Sequence, residues 1–123
     1  MTTSKPSLKI GLVGPCTAGK STLTKMLHTA GVEAHHIAQE HSYVPYMWQR
    51  ITNPDVLIFL DVSFPVSEQR RQMDWTVEDY YEQHHRLRHA RQHAHLYIMT
   101  DSFTPQDVFE QIMRFLERFN FSH

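Results

Sequence analysis

Gly14-Pro15-Cys16-Thr17-Ala18-Gly19-Lys20-Ser21 is the stretch on which the reading of this chain turns. It satisfies every fixed position of G-x-x-x-x-G-K-[ST], the phosphate-binding loop pattern. Its flanks agree. Leu8-Lys9-Ile10-Gly11-Leu12-Val13 reads as a short buried strand, and Thr22-Leu23-Thr24-Lys25-Met26-Leu27 opens an amphipathic helix. A strand, a glycine-bearing loop and a helix N-terminus make an anion cradle. Glycine lets the backbone curl so that successive N–H groups face inward, and the helix adds the positive end of its dipole. Gly14, Pro15, Cys16, Thr17, Ala18, Gly19, Lys20, Ser21 and Thr22 are therefore expected to hold nucleotide phosphates. Lys20 supplies a mobile cation for the outer phosphates and Ser21 a hydroxyl for Mg²⁺. On this reading Lys20 is needed by the ligand and not by the core.

Outward from the loop, the first helix is expected to end near Ala30-Gly31, with Gly31 as a left-handed cap. Val32 to Ala38 reads as a second strand, and a short helix is expected around Tyr46 to Arg50. Val56-Leu57-Ile58-Phe59-Leu60-Asp61 is continuously apolar and ends in an acid, which suits a central parallel strand covered on both faces. Pro65 and Ser67 lead into a helix through Gln69 to Gln72, then a loop at Asp74-Trp75. Thr76 reads as an N-cap with Asp79 in the capping-box position. The helix it opens is expected to carry Val77, Tyr80, Tyr81, His84, Leu87 and Ala94 down one side. Leu96 to Met99 is the last strand. Thr104-Pro105 is an N-cap followed by proline at the first helical position, opening a helix with an apolar stripe through Val108, Ile112, Leu116 and Phe119.

Strands separated by helices predict an α/β three-layer sandwich with a small parallel sheet. Right-handed crossovers in such a sheet place a ligand beyond the carboxyl ends of the strands. Gly14, Gln39-Glu40, Asp61 and Thr100-Asp101 all fall there.

With 123 residues and a net charge of −1, the chain reads as one domain over residues 1–123, without the basic footprint of a nucleic-acid binder. No apolar run reaches the length of a membrane span, and Met1 to Pro6 lacks an apolar signal core. The only cysteine, Cys16, excludes an intramolecular disulfide and suits a reducing cytoplasm. It reads as a small loop filler. Ten histidines invite a metal reading. His85, His89 and His93 stand at i, i+4 and i+8, a spacing that can chelate a divalent ion. The expected apolar side of the helix leaves them on the opposite face among Arg86, Arg88 and Arg91, which favours a solvated surface. His41, beside Glu40, is the histidine best placed to approach the loop.

On these residues the whole chain resembles the P-loop kinases, the nucleoside and nucleotide kinase group that includes thymidylate and shikimate kinases, reduced in size. The glycine-rich loop carries most of the resemblance. Pro54 to Val62, with Glu68 and Arg70-Arg71 after it, is similar to the strand before the lid of these kinases. His95 to Ser102 and Thr104 to Val108 are similar to their last strand and helix, whose connection lies beside the adenine base. The resemblance implies a P-loop NTPase fold, Mg²⁺ and ATP as ligands, and Arg70 or Arg71 as a lid arginine, with Met73-Asp74-Trp75 as the hinge. Residues 31 to 55 leave room for one strand and carry no acid-arginine pair, so the part that binds the phosphoryl acceptor is expected to be reduced or missing. Neither an Asn-Lys-x-Asp guanine element nor an Asp-x-x-Gly loop is present, which makes GTP-binding proteins a weaker match.

Phosphoryl transfer needs charge neutralisation and an oriented nucleophile. The candidate catalytic residues are Lys20, Glu40, Arg70 and Arg71. The candidate metal ligands are Ser21, Glu40 and Asp61. Glu40 follows the second strand, where it can orient a water or an acceptor hydroxyl. Asp61 ends its strand as a Walker B acid does, though its place before the lid favours a structural role. Arg50 is a basic candidate without a specific warrant, and Trp48 and Trp75 read as packing. The expected partners are a nucleotide and a small-molecule phosphoryl acceptor, with no nucleic acid and no membrane; a homo-oligomer stays open. Three functions stay open: kinase-like phosphoryl transfer or slow ATP hydrolysis, a nucleotide-sensing or assembly module without efficient chemistry, and, as the weakest, a histidine-based metal-binding protein.

Overall fold

The structure is a computed structural model and describes residues 8–71 and 74–122. Its elements run β1 (Lys9–Val13), α1 (Lys20–Thr29), β2 (Glu33–His36), a 3₁₀ turn (Gln39–His41), α2 (Met47–Ile51), β3 (Val56–Asp61), α3 (Phe64–Arg71), α4 (Val77–Arg86), α5 (Arg88–His93), β4 (Leu96–Met99) and α6 (Pro105–Ser122). The four strands form one sheet in the order β2-β1-β3-β4, parallel throughout. The chain leaves β1 toward β2 and then returns past β1 to reach β3. The connections that follow β1 and β3 therefore diverge, and their divergence opens a crevice at the carboxyl ends of those two strands.

Strand alternation builds a core on each face of the sheet. Val56, Ile58 and Leu60 join Ile10 and Leu12 beneath Leu23 and Leu27 of α1 and Ile112 and Leu116 of α6. Leu57 and Phe59 join Val13 on the other face, against Trp48 of α2, Leu87, and Ala90 of α5. All six residues of β3 are buried, as its apolar run predicts for a central strand. Full burial of an Ile or Leu side chain contributes about 1.5–3 kcal/mol. Ile58→Ala removes several methyl groups from the sheet's centre and is expected to cost about 2–5 kcal/mol.

The helix ends follow local chemistry. Gly31 takes φ 82°, its N–H reaches the His28 carbonyl at 3.0 Å, and Val32 N–H reaches the Leu27 carbonyl at 2.9 Å. That is a Schellman cap, with glycine where a side chain would be strained. Thr76 and Asp79 form the expected capping box on α4, each side chain accepting the other's backbone N–H at 3.1 and 3.2 Å. Thr104 and Asp107 form a second box on α6, at 3.0 and 3.1 Å.

Two expectations change. The single helix expected after Thr76 is two, α4 and α5, parted at Leu87 (φ −94°, ψ 0°). Leu87 is fully buried, and its N–H is shared among the carbonyls of Gln83, His84 and His85, which tightens the last turn and redirects the chain. Tyr81, expected on the inner side, is 66 % exposed, and Gln83 is buried instead. Among the described residues, no helix is long and apolar enough to cross a membrane.

Candidate functional site

The loop after β1 lies flush against β3. A Cβ on Gly14 would stand 1.9 Å from the Leu60 carbonyl oxygen, so only glycine fits. Thr17 (φ 71°) and Gly19 (φ 94°) then turn the backbone into α1. No side chain caps α1, which leaves its first-turn N–H groups without a side-chain acceptor. A hollow of about 380 Å³ opens at that helix end, with Gly19, Lys20, Ser21 and Thr22 among its walls. The geometry suits an anion.

Lys20 and Glu40 meet inside this hollow. The ammonium donates to Glu40 Oε2 at 2.8 Å, to the Pro15 carbonyl at 3.1 Å and to the Gly14 carbonyl. Their side chains are only 4 % and 3 % exposed. Lys20 therefore belongs to the core as well as facing the ligand hollow, contrary to the expectation that only a ligand needs it. The turn that carries Glu40 is fixed by Gln39, which is 1 % exposed. Its amide nitrogen donates to the Val44 carbonyl at 2.8 Å and the Arg86 carbonyl at 3.2 Å, while its oxygen accepts Trp48 N–H at 2.8 Å. Arg86 in turn donates to the Glu40 carbonyl at 3.3 Å.

Two buried polar atoms of residues at this hollow have no hydrogen-bond partner among the described residues: Glu40 Oε1 and Thr17 Oγ1. Such atoms are rare in folded proteins, and a carboxylate oxygen without a partner is costly to bury. Ser21 Oγ stands 3.3 Å from His36 Nδ1. Burial, reinforced by the positive charge of Lys20, holds the His36 pKa below its ordinary value and favours the neutral ring. His41 Nε2 lies 3.7 Å from Glu40 Oε2 and 3.8 Å from Cys16 Sγ. His41 does approach the loop, as its position beside Glu40 predicts.

Gln83 is the residue that sequence reasoning missed. Its oxygen accepts Cys16 N–H at 2.9 Å, and its nitrogen donates to Cys16 Sγ at 3.1 Å. It clamps the loop from α4. A signal existed: an amide at position 83 interrupts the apolar side between Tyr80 and Leu87.

The two adjacent arginines divide. Arg70 donates to the Thr17 carbonyl at 2.8 Å and walls a second hollow of about 280 Å³ with Thr22, Thr100, Phe103 and Pro105. Arg71 walls the first hollow, and its guanidinium lies 4.9 Å above the Trp75 ring. Trp75 is buried and donates to Ser67 Oγ at 2.9 Å. Met73 of the expected hinge lies outside the described residues.

Asp61 sits apart, in a polar cluster at the end of β3. Its Oδ1 accepts Val62 N–H at 2.8 Å and lies 3.5 Å from His84 Nε2, and its Oδ2 accepts the Tyr97 hydroxyl. Burial, with the negative charge of Asp61 next, pushes the Tyr80 hydroxyl up to about 12. Burial and the hydrogen bond to Asp61 push Tyr97 up as well. Burial lowers the His84 pKa, with Asp61 pulling the other way. Asp61 is not among the residues that wall the hollow of Ser21 and Glu40.

A third hollow, of about 590 Å³, lies beyond β2. Ile37, Tyr43, Met47, Trp48 and Ile51 give it apolar walls, and it shares His36 and His41 with the first. Arg50 is exposed and walls none of these three hollows. The helix break puts His85 in α4 and His89 and His93 in α5, where those two rings stack at 4.2 Å and His89 accepts Trp48 Nε1–H at 3.1 Å. No protein-family model matches the chain, and no curated protein matches it.

Proposed function

We propose that this chain is a P-loop NTPase of the kinase type, reduced in size, that binds Mg·ATP and transfers or slowly hydrolyses its γ-phosphate. The observation that carries this reading is the buried Lys20–Glu40 pair at an uncapped helix N-terminus, with Glu40 Oε1 and Thr17 Oγ1 left unpartnered in the same hollow. The residues fit the ligands. The N–H groups at the start of α1 suit phosphate oxygens, and Ser21 Oγ and the Glu40 carboxylate are hard oxygen donors of the kind Mg²⁺ takes. When bound, Mg²⁺ neutralises charge on the outer phosphates. The second hollow, between Arg70 and the β4–α6 connection, suits the base.

The chain's own residues then have distinct tasks. Lys20 exchanges the Gly14 and Pro15 carbonyls for phosphate oxygens. That exchange loosens its hold on Glu40, whose carboxylate becomes free to accept a proton from an attacking hydroxyl or water. Arg71 supplies positive charge from the α3 side. The third hollow gives a small acceptor with an apolar body a place beside the γ-phosphate, with His36 and His41 on the shared wall. A reducing cytoplasm belongs to the same reading.

A second reading has its own observation. Glu40 is held by Lys20, so a nucleotide that draws Lys20 away also frees the Glu40 side chain on the turn after β2. A sensor that reports nucleotide occupancy through that turn needs no chemistry. Calorimetry with Mg·ATP, on the wild type and on Lys20→Met, tests the shared premise. Triphosphate affinity that is absent, or unchanged in the variant, overturns both readings. Loss of ATP in the presence of small hydroxylic acceptors then favours the enzyme, and tight binding without turnover favours the sensor.

A further inference from the structure

The mouth of the loop carries a sulfur and an imidazole donor that phosphate binding does not use, beside the Glu40 carboxylate. Cys16 Sγ, a Glu40 carboxylate oxygen and His41 Nε2 all lie within 4.8 Å of one another. The sulfur and the imidazole nitrogen are 3.8 Å apart, and that nitrogen is 3.7 Å from Glu40 Oε2. In a tetrahedral zinc site, bonds of about 2.3 Å to sulfur and about 2.0 Å to nitrogen and oxygen set the ligand atoms roughly 3.3–3.6 Å apart. The three donors already stand within a few tenths of an ångström of that spacing in the two measured separations.

Two further observations point to a ligand. Glu40 is 3 % exposed, yet its Oε1 has no hydrogen-bond partner among the described residues. The Cys16 side is pre-set as well, since the Gln83 amide holds both its N–H and its sulfur. The cationic groups at the same hollow are Arg71 and Lys20, which is bonded at 2.8 Å to Glu40 Oε2, the oxygen that also lies 3.7 Å from His41 Nε2. A thiolate and a carboxylate together offset Lys20 and half the charge of a divalent ion.

We propose that Cys16, Glu40 and His41 form a binding site for a thiophilic divalent cation of the zinc class, distinct from any Mg²⁺ at Ser21. Sulfur and imidazole donors select such an ion and disfavour Mg²⁺, which prefers oxygen ligands alone. Cys16 binds as the thiolate and gives its proton to solvent, with no change of oxidation state. Three protein ligands leave a fourth position for water from the hollow. An ion there ties the loop to the turn after β2, joining residues 25 apart in sequence across the mouth of the hollow.

The test uses the reduced, metal-free chain with no nucleotide, so its outcome does not depend on whether the chain binds ATP. Titration with Co²⁺ is expected to give a thiolate-to-cobalt charge-transfer band that saturates at one equivalent, and calorimetry with Zn²⁺ is expected to give the same stoichiometry. Cys16→Ser abolishes the band. Cys16→Ser and His41→Ala each weaken Zn²⁺ binding about tenfold or more, since loss even of an outer-shell partner costs 10–100-fold. Circular dichroism confirms that each variant is folded. A variant lacking His85, His89 and His93 keeps the band and the affinity of its one-equivalent site. A wild type without the band, a Cys16→Ser chain that keeps wild-type Zn²⁺ affinity, or loss of both signals in the folded variant lacking His85, His89 and His93 overturns the proposal.

Discussion

Glu40 and Asp61 are two acids buried to the same degree, 3 % exposed, one just after β2 and one at the end of β3, on either side of β1 in the parallel sheet. Their surroundings differ in one respect that decides their use. Asp61 is satisfied by a backbone N–H and a tyrosine hydroxyl, with His84 Nε2 3.5 Å away. Glu40 has one oxygen bound to Lys20 and one with no hydrogen-bond partner at the wall of a hollow. A saturated buried acid holds the fold together. A half-satisfied one costs the fold stability.

The strongest way to break this comparison is Lys20→Ala. It leaves Glu40 buried without its cation and is expected to cost about 3–5 kcal/mol in equilibrium urea unfolding. Adding Glu40→Gln to Lys20→Met is expected to restore most of that stability and to leave triphosphate binding lost. A Lys20→Ala chain as stable as the wild type would show that the pair carries no structural weight.

The two acids themselves should trade effects. Glu40→Gln is expected to lower turnover about 100-fold or more while retaining Mg·ATP binding. Asp61→Asn is expected to lose about 1–3 kcal/mol of stability, through its weakened hydrogen bonds, with Mg·ATP affinity within about twofold of wild type. Calorimetry and unfolding on both variants decide it, and equal loss of ATP affinity in the two would erase the distinction.

The pH dependence of stability sharpens the contrast. His84 beside Asp61 and His36 beside Lys20 both have pKa values lowered from about 6.5, so the unfolded chain binds protons more readily than the folded one. Their contribution is complete above about pH 6.5 and is lost as the pH falls through the folded-state values. Urea midpoints are expected to fall between pH 7 and pH 5, less so in a His84→Gln, His36→Gln variant. An identical decline in that variant would assign the effect to other groups.

The arginines carry the smallest expected effects. Arg71→Ala should lower turnover about tenfold with little change in affinity, because its contact forms mainly as charge moves in the transition state. Arg70→Ala should weaken nucleotide binding a few-fold from the second hollow. Both side chains are exposed, so stability should change by no more than about 0.5 kcal/mol in either variant. Steady-state kinetics that show the two variants alike would remove the division of labour between them.

Much of the fold was legible because its signals are local. The apolar run of β3, the glycine cap of α1, the capping box of α4 and the proline opening of α6 each depend on residues within one turn or one strand of each other. The backbone course of the loop was legible for the same reason, since Gly14 and Gly19 stand within a few residues of the turn into α1. The helix after Thr76 was misread because the break at Leu87 arises from burial against another element and leaves no glycine or proline in the sequence.

The sequence by itself therefore determined the order of the strands and helices apart from the break between α4 and α5, the glycine-bearing loop ahead of α1, and the set of acids that come to the carboxyl end of the sheet. Only the tertiary structure decided between those acids. It brought Glu40 to Lys20 across 20 residues, and gave Asp61 to Tyr97 across 36. It also placed Gln83 on Cys16 across 67, and turned Arg70 and Arg71 toward different hollows. Whether a buried carboxylate is satisfied depends on atoms that meet only when strands pair and helices pack, and no local spacing encodes that meeting.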